Sequence, residues 1–474
     1  MAPNESKVAL LPQQLAVSGA APALGGLLDV GAQAPAPAPK FKVLIVSPVF
    51  PPHVTVGGGV AVTVGAVTDK LIEKGCSVSV LSPRLGNVDY GTSSLYPAFP
   101  VQFPTLYNLR LYWQAISECD ILVCPDNTVM PFLVTFCHLL SKPLWFNLHT
   151  NIRHLLEMTG PFGYYVSAPI CDSFIRLNSN LTSRTYTTSP SYREVLLKRG
   201  YRVDGVFTPK IKLAVFEAID AEAAVAEARR WLVCGANVAG KTLLIYAGRF
   251  SHEKRIQLLA ETLPEDCVLA IVGDGPGAAG DKVAALHNPA QRVFVHRGMV
   301  DQPRLRVLYK ASDFLVSASS FETLGMTVAE ANVCGIPVIV QDATGFSTQV
   351  VQGENGYLTN FEDKAAAQAC IKRAIKERPS REQINAIINS DTFWFAGLPQ
   401  LEDEIMKMAA IGGDKSKWGS GYISPLLILP CICVYYIVFW IIGFPFNKVN
   451  QFADRTRPGP VVFNANRMAP KHAI

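Results

Sequence analysis

Two carboxylates, Glu322 and Glu330, stand with seven residues between them in SSFETLGMTVAEANVCGIPVIV, residues 319–340. If DFLVSAS is a strand and GMTVAEANVCG a helix, Glu322 lies in the loop between them. Glu330 then sits about one to two turns into the helix, at ~1.5 Å rise per residue. The amides of Thr323, Leu324 and Gly325 point from the helix start into the same space, where they and Glu322 could grip sugar hydroxyls. Glu330 could accept both hydroxyls of a ribose, because a carboxylate can take a bidentate pair. The plainer alternative makes both acids exposed helix residues that stabilise an N-terminus.

A second cluster lies in YAGRFSHEKRI. The strand expected over Leu243–Ala247 ends in Gly248, and Arg249 and Lys254 leave its edge in a turn close to a helix start near Glu253. Two cations in that place could hold a diphosphate, or they could belong to a solvated loop. VGDGPG, residues 272–277, follows another strand. Its Gly273, Asp274 and Gly275 would let a nucleotide approach the backbone closely, although a lone G-x-G fits a plain turn as well. His149 follows an apolar run, where a lone histidine is more often a satisfied structural residue. His138 and His154 match no motif and are read as structural.

Elements that end where these side chains begin are required, and the hydrophobic pattern supplies them. Val43–Val46 is a continuous apolar run breaking into a Pro-rich turn, as in a buried parallel strand. GGGVAVTVGAVTDKLIEKGCSVSVLSP then reads as glycine turn, helix, stop at Gly75 and strand over Val78–Leu81, one βαβ unit. Further strands are expected at Ile121–Cys124, Leu144–Asn147 and TYTTSP. After an Ala/Glu-rich helical stretch from Phe216 to Gly240 the rhythm restarts at KTLLIYAGRF. The expectation is an α/β chain with two Rossmann-like domains, 41–215 and 216–410, facing a cleft beyond the carboxyl ends of their strands. The 474 residues fit two domains with extensions.

The extensions differ in kind. Residues 1–40 are Ala/Pro/Gly-rich, as in a disordered leader or linker, with a transit peptide as one reading. Residues 422–446 carry no charge, and a run of this length can span the ~30 Å of a bilayer. Pro425, Pro430 and Pro445 leave room for a re-entrant or interfacial segment, and a buried helix is the bland alternative; membrane attachment is favoured, because Trp418 and Tyr422 sit at one end and Lys448, Arg455 and Arg457 follow the other. Residues 447–474 form a basic tail. Lys+Arg 43 against Asp+Glu 38 gives +5 without a long basic run, which argues against a nucleic-acid partner. The 11 cysteines form no CxxC pair or zinc-spaced cluster and read as reduced thiols. The sequons at Asn4 and Asn180 read as chance matches.

Taken together, S-x-x-E-T-L-G-x-x-x-x-E-A, C-G-x-P-V, G-R-x-x-x-E-K and G-D-G-P resemble the nucleotide-sugar half of the family-4 retaining glycosyltransferases of GT-B fold. The resemblance runs over roughly residues 41–400 and is looser in the first half. It implies a UDP-sugar donor, with Glu322 on the sugar, Glu330 on the ribose and Arg249 and Lys254 on the diphosphate. It also implies Gly57, Gly58 and Gly59 against the donor phosphates and acceptor, and His149 on the donor sugar. No metal or other cofactor is expected. ETLG together with LHTN is similar to sulfoquinovosyl- and other glycolipid-forming transferases. That similarity implies UDP-sulfoquinovose and diacylglycerol as leading substrates, in a chloroplast membrane, or in the endoplasmic reticulum for another glycolipid. A UDP-GlcNAc transferase to phosphatidylinositol, a nucleotide-sugar epimerase and an inactive UDP-binding scaffold are the rivals. GGGVAVT lacks the acid common in relatives, NLHTN replaces H-T-H, and Asn332 interrupts E-A-M.

Overall fold

The computed structural model describes residues 40–47, 58–82, 106–125, 131–207, 213–418 and 461–464, apart from 159, 276, 392 and 394–397. Two sheets organise them. The first contains β1 (Lys42–Val46), β2 (Ser77–Ser82), β3 (Ile121–Pro125), β4 (Leu144–Leu148), β5 (Arg184–Thr187) and β6 (Gly205–Val206). The second contains β7 (Thr242–Ala247), β8 (Cys267–Gly273), β9 (Val293–Arg297), β10 (Phe314–Ser317), β11 (Val338–Gln341) and β12 (Gly356–Thr359). A last strand, β13 (Val461–Asn464), joins the first sheet antiparallel to β2. The short β6 and β12 are strands that the sequence pattern did not single out.

The apolar runs form strands because both faces of each sheet are covered. Leu243, Ile245 and Ala247 enter one core layer and Leu244 and Tyr246 the opposite one. In the first sheet Val43 and Ile45 face one layer, Leu44 and Val46 the other. Burial on both faces removes the polar alternation of a half-exposed strand, which is the mark of a parallel sheet between helices.

Strand order sets where a site can form. The orders are β13-β2-β1-β3-β4-β5-β6 and β12-β11-β10-β7-β8-β9. In the second sheet β7 lies between β8 and β10, so the connections leaving β7 and β10 run to opposite sides. A crevice opens at such a switch point beyond the strand ends. Arg249 and Lys254 follow β7, and Glu322 follows β10. The first sheet repeats the device at β1 and β3; Gly58 and Gly59 open the helix Gly58–Glu73 after β1, and Gly57 lies outside the described residues.

Chain order and packing part company near the end. The helix Leu401–Ile411 falls within the stretch expected in the second domain, yet Leu401, Ile405 and Met408 pack into the core of the first sheet beside Val43 and Val78. Lys74 pairs with Asp403, and the Tyr186 hydroxyl donates to Glu404 at 3.3 Å. Among the described residues no helix is long and apolar enough to cross a membrane. The uncharged run 422–446, the leader 1–39 and most of the tail lie outside them.

Candidate functional site

The loops after β7 and β8 meet backbone to backbone. Gly248 N–H donates to the Val272 carbonyl at 3.1 Å and Phe250 N–H to the Asp274 carbonyl at 2.7 Å. A Cβ on Gly273 would stand 1.9 Å from the Gly248 oxygen, and one on Gly275 1.9 Å from the Phe250 oxygen. The glycines of VGDGPG thus permit this loop contact in the first place. The Asp274 carboxylate accepts from Arg297 at 2.9 Å and from Gly275 N–H at 2.8 Å.

The helix expected to start near Glu253 begins later. His252–Lys254 is a 3-10 turn, Arg255 adopts the left-handed region with φ 46°, and the α-helix runs Ile256–Glu261. The tight turn folds Glu253 inward, where it accepts from Arg249 at 2.9 Å and Ser251 at 2.6 Å. Burial pushes its carboxyl upward, but Arg249, the Ser251 hydroxyl and Lys254 outweigh that and hold it below the ordinary value. Arg249 keeps a side chain 53% exposed, free to meet a second anion. Lys254 turns the other way and pairs with Glu322 at 2.5 Å. The two cations and the first of the spaced acids are thereby brought together.

The loop carrying Glu322 is tied at successive carbonyls. Gly345 N–H donates to the Glu322 oxygen at 2.8 Å; Thr188 and Ser189 hydroxyls donate to the Thr323 oxygen at 3.1 and 2.5 Å. Gln349 Nε2 donates to the oxygens of Leu324 and Gly325, the latter at 3.0 Å. A trans peptide holds its N–H opposite its carbonyl, so the amides of Thr323, Leu324 and Gly325 point away from these donors. Gly325 takes φ 85° to start the helix Met326–Val333. Thr188 and Ser189 belong to the first lobe, so the loop is also where the lobes touch; Ser191 bonds Thr344 and Thr348 alongside.

Glu330 is buried in that helix and accepts from the Tyr309 hydroxyl at 3.1 Å. Burial raises its carboxyl to about 7, against the lowering effect of Tyr309. The exposed-helix alternative fails for it. Asn332 two residues on is buried as well: Asn355 Nδ2 donates to Asn332 Oδ1 at 3.1 Å, and Asn332 Nδ2 to the Asn355 and Ile336 carbonyls at 3.1 Å. This amide pair accounts for the Asn in place of the usual Met.

His149 stands at the carboxyl end of β4, buried, edge-on to Phe207 at 5.3 Å, with Nε2 unpartnered. Burial lowers it to about 4, so the ring is neutral. No hydrogen bond links it to the Glu322 loop among the described residues; that link comes from His154, whose Nε2 lies 3.1 Å from Ser320 Oγ. His154, read as structural, holds the start of that loop by this bond and by packing on Phe321. Ser320 N–H also donates to the Glu253 carbonyl at 2.9 Å. Glu253, Gly345, Gln349 and the hydroxyls of TTSPS were missed in the sequence; only the last, a hydroxyl cluster before the helix Pro190–Lys198, left a local signal. Among the described residues no group of side chains could hold a metal ion.

Residues 235–389 match the family described as glycosyl transferases group 1. The chain is similar to a D-inositol 3-phosphate glycosyltransferase of Thermomonospora curvata, 30% identical over 38% of this chain and 46% of the relative. It is also similar to the sulfoquinovosyl transferase of Arabidopsis thaliana, 30% identical over 35% of this chain and 33% of that one. An alpha-monoglucosyldiacylglycerol synthase of Streptococcus pneumoniae is 36% identical over 21% and 24%. The chain thus spans less than half the length of each of these curated relatives. Anabaena HepE in complex with UDP shares the fold, with TM-score 0.54 at 17% identity over 78% of this chain and 98% of that one. The two sheets share the fold of such solved structures, and residues 235–389, about a third of the chain, match the glycosyl transferases group 1 model.

Proposed function

We propose that the chain is a retaining hexosyltransferase that moves a sugar from a UDP-sugar to a lipid acceptor, with sulfoquinovose and diacylglycerol as the leading pair. The observation that carries this reading is the Lys254–Glu322 pair at the switch point between β7 and β10, with Arg249 exposed beside it. Arg249 and Lys254 hold the diphosphate. Glu322 and the amides of Thr323, Leu324 and Gly325 receive the sugar, Glu330 accepts the ribose hydroxyls, and His149 faces the sugar from the first lobe. Gly57, Gly58 and Gly59 border the phosphates and acceptor, and Gly273, Asp274 and Gly275 border the nucleotide.

As the anomeric C–O bond breaks, its electron pair goes to the diphosphate, where the two cations stabilise the growing charge. The acceptor hydroxyl adds to the same face and its proton passes to the departing phosphate oxygen. No metal is needed for charge neutralisation in this scheme. The names of the relatives support the substrates: one carries sulfoquinovose, another diacylglycerol, and HepE was bound to UDP. A chloroplast membrane is the site of action on the sulfolipid reading and the endoplasmic reticulum otherwise. A second reading, transfer to a phosphorylated inositol, is favoured by the similarity to D-inositol 3-phosphate glycosyltransferases.

The test is UDP release by the full chain with a panel of UDP-sugars, with diacylglycerol micelles, inositol 3-phosphate or neither. Release with one UDP-sugar that requires diacylglycerol is expected. Release that needs inositol 3-phosphate moves the acceptor, and UDP binding without turnover on any pair refutes transfer.

A further inference from the structure

The helix Met326–Val333 carries Glu330 and begins at the loop that carries Glu322, so its eight residues set the distance between the two acids. A chain of buried amides joins its two ends. At the start, Gln349 Nε2 donates to the Leu324 and Gly325 carbonyls. The Gln349 backbone carbonyl in turn accepts from Asn355 Nδ2 at 2.9 Å. Asn355 Oδ1 accepts from Val351 N–H at 2.7 Å, so this one side chain clamps the backbone on both sides of Val350. At the far end Asn355 Nδ2 donates its other proton, at 3.1 Å, to Oδ1 of Asn332, the last but one residue of the helix. Asn332 Nδ2 closes the chain on the Ile336 and Asn355 carbonyls.

Hydrogen-bond chemistry allows this chain one arrangement. A primary amide has two protons to give, and Asn355 and Asn332 each spend both. Gln349, Asn355 and Asn332 are 1%, 0% and 1% exposed, and none leaves a buried side-chain nitrogen or oxygen without a partner. Turning either asparagine over would set its Oδ1 against carbonyl oxygens and strand buried donors, which is expensive. The loop, the turn after Gln349 and the helix end therefore move as one body.

Position gives the chain its role. The carbonyls that Gln349 holds share their peptides with the N–H groups of Gly325 and Met326, and a trans peptide turns each N–H away from its carbonyl. Those amides lie at the helix start, beside the Lys254–Glu322 pair. Asn332 is about 10 Å further along the helix, at ~1.5 Å rise per residue. It reaches the loop only through Asn355 and Gln349.

We infer that Asn332 is a positioning residue for the donor sugar: through Asn355 and Gln349 it fixes Glu322 and the loop amides relative to Glu330, so that ribose and sugar are held in register. This rests on the donor-site reading of the Glu322 loop. The test compares Asn332→Leu, Gln349→Met and the double variant in the full chain, with Asn332→Ser, too short to reach Asn355, as the second variant should Leu not be accommodated. Hydrogen exchange without ligand comes first. The Gly345 amide, bonded to the Glu322 carbonyl at 2.8 Å, should exchange several-fold faster in Asn332→Leu, beyond any change at the β7 amides that report global unfolding. Equal acceleration at both sites overturns the inference. With the UDP-sugar panel, kcat/KM for UDP release should fall about 10- to 100-fold. UDP affinity by calorimetry should hold, because Glu330 keeps its bond to Tyr309. Asn332→Leu should cost nothing further in the Gln349→Met background. Losses that multiply in the double variant, or UDP affinity that falls as far as turnover, overturn the positioning role. A native chain without UDP-sugar turnover, in which Gly345 still responds, supports the coupling of Asn332 to the loop and refutes the donor reading alone.

Discussion

Replacing Glu330 by Gln should make the protein more stable and a poorer binder of UDP. The carboxyl is raised from 4.5 to about 7 by burial. Below 4.5 the folded and unfolded chains are both protonated, and the group contributes no difference. As pH rises past 4.5 the unfolded chain releases its proton while the folded chain keeps it until about 7, so stability falls through that window and the cost is complete above it. At ~1.36 kcal/mol per pH unit, the gap between 4.5 and about 7 amounts to about 3 kcal/mol. Gln can still accept from Tyr309, so the exchange removes the charge and leaves the hydrogen bond. Urea unfolding across pH should therefore show a stabilisation of about 3 kcal/mol above neutrality that vanishes in acid. UDP affinity should fall by about 1.5–3 kcal/mol, the worth of a hydrogen bond to a charged group, if the ribose is held by the carboxylate. Calorimetry on the native chain near pH 7 should also detect proton release on UDP binding, because hydroxyl donors favour the ionised form. A stability difference independent of pH refutes the buried-charge reasoning. Stabilisation with unchanged UDP affinity refutes the ribose assignment alone.

His149 is lowered from 6.5 to about 4 by burial, so its contribution to stability is full above 6.5 and lost as pH falls toward 4; His149→Asn should remove that acid-labile component, about 3 kcal/mol, from a pH series of unfolding midpoints. Gly345→Ala places a Cβ 2.6 Å from Leu324 N and 2.8 Å from the Glu322 oxygen; overpacking of about 1–3 kcal/mol and a matching drop in UDP-sugar affinity should appear together, by thermal unfolding and calorimetry. Lys254→Met should lower UDP affinity and turnover, whereas Glu322→Gln should spare UDP affinity and lose turnover. Their double-mutant cycle should give a coupling of about 0.5–3 kcal/mol, and a coupling of zero would mean that the ion pair does not act as a unit.

Local order along the chain was enough to reveal the two α/β halves and the loops that gather cations and acids beyond β7 and β10. A strand buried on both faces writes itself as an apolar run, and a loop that must meet an anion or a sugar concentrates glycines, cations and acids at the strand's end. Val43–Val46 and Leu243–Ala247 were legible on that ground, as were Arg249, Lys254 and Glu322. What sits across the fold was not legible. Nothing within a few residues of Glu322 announces that Gly345, Gln349, Thr188 and Ser189 will fix its loop, because these donors come from other elements and even the other lobe. The burial of Glu330 depends on Tyr309 and on the helix face it shares with the core, and the return of Leu401–Ile411 to the first sheet depends on which apolar surface was left uncovered. Asn332 looked like a departure from pattern until Asn355 appeared beside it. Sequence spacing determines which groups can act within one turn or loop; the strand order of the sheets decides which of those loops share a crevice, and which carboxylates leave water to reach it.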